Sequence, residues 1–208
     1  MIFSSEVLDS AAADPASPAW SLIWDESCHQ GTFDPASGAL LPWLARTCAS
    51  FAPERRDGVV ALAGFIAVDA TDADRVAYSQ EIATLRRLAV ECLPGASTDR
   101  DFVLLQQAVL GFDGDEIWGK EPDLVIDGEV DVQCPECEDE LCLDLMAEDS
   151  PIEPWLTSHL AVRIHAEAVE AGRNSLATAF TYLFGRVHCP NCGTRFDLAD
   201  QVGRVSWG

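Results

Sequence analysis

Basic residues are scarce in this 208-residue sequence: 13 Lys and Arg stand against 35 Asp and Glu, a formal net charge of −22. Nucleic-acid affinity is supplied largely by Lys and Arg that displace counterions from phosphates, so a clamp on DNA or RNA is not expected. Long apolar runs are also missing. No stretch approaches the ~18 consecutive apolar residues of a membrane-spanning helix, and no membrane association is expected. The opening MIFSSEVLDSAAADP has neither the basic start nor the apolar core of a secretory signal. The expected location is the cytoplasm, where thiols stay reduced and paired cysteines serve metals rather than disulfides.

What is present is enough apolar material for a core: 48% of residues are hydrophobic and six are tryptophan, which can offset the entropy of ordering the chain. The acids are unevenly spread. Residues 1–52 hold six acids and one base, residues 53–121 thirteen acids and seven bases, and residues 122–154 twelve acids and no base. Beyond residue 154 four acids meet five arginines. The acidic run reads either as a solvated, solubilising surface or as a docking face for a basic partner protein, whose association it would accelerate. Charge alone does not choose.

Apolar spacing and punctuation predict helices through the first ~120 residues. Ser17 and Pro18 open a helix with Trp20, Ile23 and Trp24 on one face, and HQGT from His29 to Thr32 interrupts it. Asp34 and Pro35 open the next, with Leu40, Leu41, Leu44 and Cys48 inward and Pro42 as a kink or the true start. A third carries Val59, Leu62, Ala63 and Ile66. After the acidic DATDAD turn a fourth carries Ile82, Leu85, Leu88, Ala89 and Cys92. Thr98 or Asp99 caps a fifth, with Phe102, Leu105, Ala108 and Val109 inward until Gly111 and Gly114 break it. Helices in succession with short turns pack as antiparallel hairpins.

Near Pro122 the period changes to two. Leu124, Ile126, Val130 and Val132 predict a strand entering Cys134, and Leu141, Leu143 and Leu145 one leaving Cys137. A sixth helix is expected over residues 153–171, with Leu156, Leu160, Ile164 and Val169 available for burial, and a seventh from Asn174 or Ser175 to Gly185. Val187 to Leu198 repeats the hairpin around Cys189 and Cys192.

The two knuckles, CPEC at Cys134–Cys137 and CPNC at Cys189–Cys192, are the strongest chemical signal. Two Cys-x-x-Cys turns supply the four soft ligands of a tetrahedral site, so Cys134, Cys137, Cys189 and Cys192 are expected to hold one structural zinc ion. Iron fits the same cage, and spacing does not separate the metals. A closed four-thiolate shell has no position for substrate, so an enzyme is not expected. Cys28, Cys48, Cys92 and Cys142 read as buried small apolar residues.

The stretch WDESCHQGTFDPASGALLPWL, the helical pairs after it, then CPEC and a distant CPNCG resemble a group of bacterial HEAT-like repeat proteins. The resemblance implies a mainly α fold, with HEAT-like helical hairpins over 1–121 and a small β zinc-ribbon subdomain over 122–208. The ribbon is split between 122–150 and 186–208, with a helical hairpin, 153–185, inserted. It also implies an extended surface for partner proteins and, in some members, immunity to a bacterial toxin. Two alternatives stand beside this reading. A zinc ribbon can serve a nucleic-acid-associated protein, against which the acidity weighs. His165, Ala166 and Glu167 spell HAE ahead of CPNC, echoing the zinc deaminases; the proline inside the knuckle and the second CPxC argue for ordinary helix residues. His29 beside Cys28 lacks an orienting third group, His159 and His165 are not at ligand spacing, and His188 reads as a strand residue. Trp20, Trp24 and Trp43 read as core.

Overall fold

In the computed structural model, which describes residues 3–29, 32–147 and 149–203, the protein is mainly helical with small antiparallel sheets. The chain divides into two compact units, Met1–Pro122 and Asp123–Gly208. No helix among the described residues is long and apolar enough to cross a membrane.

The first unit holds α1 (Ser5–Ala13), α2 (Ala19–Ser27), the two-residue strands β1 (Cys28–His29) and β2 (Thr32–Phe33), α3 (Leu41–Ser50), α4 (Asp57–Asp69), α5 (Asp72–Ala77), α6 (Ser79–Cys92) and α7 (Asp99–Asp113). Of the interrupting HQGT, His29 and Thr32 pair across β1 and β2, while Gln30 and Gly31 lie outside the described residues. Asp34 caps a 3-10 turn over Pro35–Leu40, and Pro42 stands in the first turn of α3 and marks its start. Thr98 caps α7 reciprocally with Asp101: each accepts a backbone N–H of the other, both at 3.1 Å.

Helix α4 is apolar nearly all round and is buried accordingly, with Val59, Val60, Leu62, Ala63, Ile66 and Ala67 all in the core. It packs on α3, α6 and α7, and α3 also packs on α6. Its crossing with α7 is unusually close. A β-carbon added at Gly64 would stand 2.4 Å from the Ala108 Cα, and one at Gly111 would stand 2.7 Å from the Gly64 carbonyl oxygen. Gly111, expected to break the fifth helix, therefore lies within α7 and serves packing. The helix ends at Gly114, whose φ of 86° is the left-handed cap. The DATDAD segment, expected as a turn, holds α5, capped by Thr71. From there Arg75 donates to the Ala67, Gly111 and Phe112 carbonyls, placing a cation at the C-terminal ends of α4 and α7. The tryptophans are less enclosed than expected. Trp20 and Trp43 are half-buried against each other, and Trp24 is 39% exposed, edge-on to Phe33 and Phe65.

The second unit holds α8 (Leu124–Asp127), β3 (Glu129–Gln133), β4 (Glu140–Asp144), β5 (Ile152–Glu153), α9 (His159–Glu170), α10 (Asn174–Leu183), β6 (Arg186–His188) and β7 (Arg195–Asp197). β3 pairs with β4, and β5–β6–β7 form a second antiparallel sheet. Two boundaries differ from expectation. Leu124 and Ile126 belong to a single helical turn closed by Gly128 at φ 78°, because alternation over so few residues does not distinguish strand from turn. Glu153 is not helical: it pairs with Arg186 in β5, since Pro154 holds the residue before it extended. Helix α9 starts six residues later, where the Ser158 hydroxyl accepts the Ala161 N–H at 3.0 Å. Leu156 thus precedes the helix, and Val169 faces outward, 46% exposed. Within the unit Val130, Leu143, Ile164, Phe180, Leu183 and Val187 are buried.

The close crossing yields a paired test by urea denaturation. Gly64→Val should cost the first unit about 2–3 kcal/mol or more through overpacking. Gly58→Ala, in the same helix with nothing within 4 Å of the added carbon, should be neutral or stabilising by up to ~1 kcal/mol. Equal effects at both positions would refute the packing role of Gly64.

Candidate metal centre

The two knuckles are built alike. β3 leads into Cys134 and β4 follows Cys137; β6 leads into Cys189 and β7 follows Cys192. In the first, the Cys134 N–H donates to the Asp139 carbonyl at 2.9 Å and the Glu138 N–H to the Cys134 carbonyl at 3.0 Å. In the second, the Cys189 N–H donates to the Thr194 carbonyl and the Gly193 N–H to the Cys189 carbonyl, both at 2.9 Å. The residue after the second cysteine is left-handed in both, Gly193 at φ 76° and Glu138 at φ 60°. Glu138 is the one described non-glycine residue with positive φ. A tight turn needs that conformation there, and the second knuckle meets it with glycine while the first imposes it on a side chain.

This geometry brings the four sulfurs within 4.8 Å of one another. Across the knuckles, Cys134 Sγ is 3.7 Å from Cys192 Sγ and Cys137 Sγ is 3.8 Å from Cys189 Sγ. A disulfide would need about 2.05 Å. A tetrahedron with metal–sulfur distances of about 2.3 Å has edges of about 3.8 Å, so the spacing fits one central ion. Cys134 and Cys189 are buried, Cys137 half-buried and Cys192 exposed, so the first cysteine of each knuckle forms the floor of the cage and the second its rim.

Polar neighbours tune the rim. Asn191 reaches across from the second knuckle, its Nδ2 3.8 Å from Cys137 Sγ. The Thr194 side chain and backbone N–H bring the Cys192 thiol down to about 6. At Cys137 the Asp139 backbone N–H also acts downward, but desolvation and hydrogen bonding with the Cys134, Cys192 and Cys189 sulfurs outweigh it and push the thiol up to about 12. A metal ion binds thiolates, so its uptake would displace the protons these sulfurs carry. When bound, such an ion supplies charge neutralisation and cross-linking; with four protein ligands it has no open position.

No histidine or carboxylate joins the four-sulfur group among the described residues. His165 and Glu167 are half-buried residues of α9, His159 and His188 are exposed, and exposed His29 neighbours half-buried Cys28. Cys48 and Cys92 are buried, and burial pushes both thiols up to about 12. Cys142 corrects the expectation of a packed thiol: Leu141 and Leu143 take the inner face of β4 and leave it exposed. Sequence reasoning missed the supporting roles of Glu138, Asn191 and Thr194. The glycine after Cys192 signalled the left-handed turn, but the first knuckle carries no such mark.

Comparison with protein-family models, with curated proteins and with solved structures gave no match.

Three outcomes are expected. Cys134→Ser or Cys189→Ser should abolish stoichiometric metal binding and unfold the knuckle region, since such ions contribute on the order of 10 kcal/mol; metal analysis with hydrogen exchange checks both. Glu138→Gly should raise the second unit's stability by about 1 kcal/mol, and Gly193→Ala should lower it by a similar amount, read from thermal melts of metal-loaded protein. Metal uptake at neutral pH should release protons, with affinity climbing as pH rises toward the Cys137 value; calorimetry in buffers of different ionisation heat measures the release.

Proposed function

We propose that this protein is a non-enzymatic binding module in which a four-thiolate zinc site is structural and the acidic surface docks a basic partner protein. The partner class that fits is a bacterial toxin neutralised by an immunity protein. The observation that carries this reading is the run of twelve acids without one base over residues 122–154, which surrounds the first knuckle and would repel nucleic acid and anionic membrane alike. A surface of one sign captures an oppositely charged protein quickly, as an inhibitor must. The closed cage supports the non-enzymatic half, because substrate would find no open coordination position. Zinc is the metal proposed, with iron the alternative occupant of the same cage.

In this reading the α3–α4 and α6–α7 pairs are two stacked HEAT-like hairpins. The packing of α3 on α6 and of α4 on α7 supports that reading, since adjacent repeats of a solenoid contact one another. A cytoplasmic location accords with the cysteines' being free thiols.

Capture of a basic protein partner should weaken at least about tenfold from low to physiological salt; an affinity indifferent to salt would remove the electrostatic basis. Cobalt substitution should give the spectrum of four sulfur ligands. A water ligand in its place would make the site catalytic in form and overturn the structural assignment.

A further inference from the structure

Among the described residues, strand β4 pairs with β3 along one edge and with no strand along the other. Its bonds to β3 run through alternate residues: Cys134 N–H donates to Asp139, Leu145 N–H to Gly128, and between them Leu141 faces Val132 and Leu143 faces Val130. In an antiparallel ladder this phase turns the N–H and C=O groups of Glu140, Cys142 and Asp144 away from β3. A groove of about 470 Å³ lies along that second edge. Six consecutive residues, 139–144, line it from both faces of the strand, and no β3 residue does, which puts the groove beside the edge rather than over either face.

The rest of the groove's lining holds two residues that cannot donate to the edge, Pro151 and Pro190, which have no N–H to offer. The Pro151 carbonyl already accepts the His188 N–H at 3.1 Å. Ser150, in the same lining, has its hydroxyl oxygen shielded from solvent with no hydrogen-bond partner among the described residues.

The outer face of the hairpin carries four acids among its six paired residues, two of them directly opposite one another. Glu129 stands opposite Asp144, Gln133 opposite Glu140 and Asp131 opposite Cys142, all exposed. Like charges across a ladder are destabilising. They also keep the edge from pairing with a second copy of the same strand. A strand carrying cations would relieve that repulsion while satisfying the bare backbone groups.

We propose that the free edge of β4 receives an extended basic segment of the partner protein as an added antiparallel strand, an inference that rests on the acidic docking reading above. The phase of the edge specifies the segment. Residues opposite Glu140 and Asp144 share the acidic face and are Lys or Arg; those opposite Leu141 and Leu143 share the apolar face and are aliphatic; the one opposite Cys142 is small. Main-chain bonds would give affinity and the alternating side chains specificity.

The test uses the metal-loaded full chain and a peptide containing Arg-Val-Ser-Val-Arg in a neutral frame, followed by fluorescence anisotropy. The peptide should bind. Methylating the backbone nitrogens of its Arg and Ser residues, which face β4, should cost about tenfold or more, whereas methylating those of its valines, which face away, should cost little. Glu140→Arg, which leaves the backbone pairing intact, should also cost about tenfold, with metal content confirming that the variant is folded. Indifference to methylation, or equal loss from both patterns, would overturn the added strand in favour of diffuse charge attraction. If the peptide fails while basic proteins still bind in a salt-dependent manner, the strand inference falls and the docking reading stands. If no basic sequence binds even at low salt, both fall.

Discussion

Four sulfurs from positions up to 58 residues apart must meet at one point, and the second unit is organised by that requirement. Its sheets are small, one of two strands and one of three, and a two-stranded hairpin alone is marginal in water. Each hairpin delivers its pair of thiolates through the same turn. The convergence of the pairs ties the start of the unit to its end, with α9 and α10 in the intervening chain. A metal ion holding that convergence would do for this unit what a larger apolar core does elsewhere.

The first unit solves the same problem by packing. Helix α4 has no polar face to show to water, so other helices must cover it. The absence of side chains at Gly64 and Gly111 allows α7 to come close enough to do so. Arg75 then spends its guanidinium on carbonyls at the ends of those two helices, one of the few bases in the chain turned inward to structure. With cations so scarce, the β3–β4 hairpin gathers four acids on its exposed face, with Glu129 directly across from Asp144. That arrangement costs stability unless something cationic comes to it.

Much of this was legible in advance, and the failures have particular causes. Thr98 marked the start of α7, because a cap is a local event between residues three apart, whereas Pro42 left open a kink or a start until the 3-10 turn before α3 settled it. Gly111 was misread since a helix-breaking residue and a helix-packing one look the same until the neighbour is known. Alternation over Leu124 and Ile126 suggested a strand, but the left-handed Gly128 closes a helical turn first. Pro154 held Glu153 extended in β5, while the apolar spacing further on suggested helix. Cys142 was read as packed because thiols usually are, although Leu141 and Leu143 on either side already assigned it the outward face.

By itself the sequence determined the mainly helical character, the four cysteines that could hold a metal ion and the one-sided charge, for these follow from residue type and short-range spacing. Only the tertiary structure decided that the sulfurs stand a tetrahedral edge apart, that Glu138 must adopt a glycine's conformation, that α4 lies against α7 through missing side chains, and that one edge of β4 pairs with no described strand. Each depends on where segments distant in the chain come to rest, and local propensity carries no record of that.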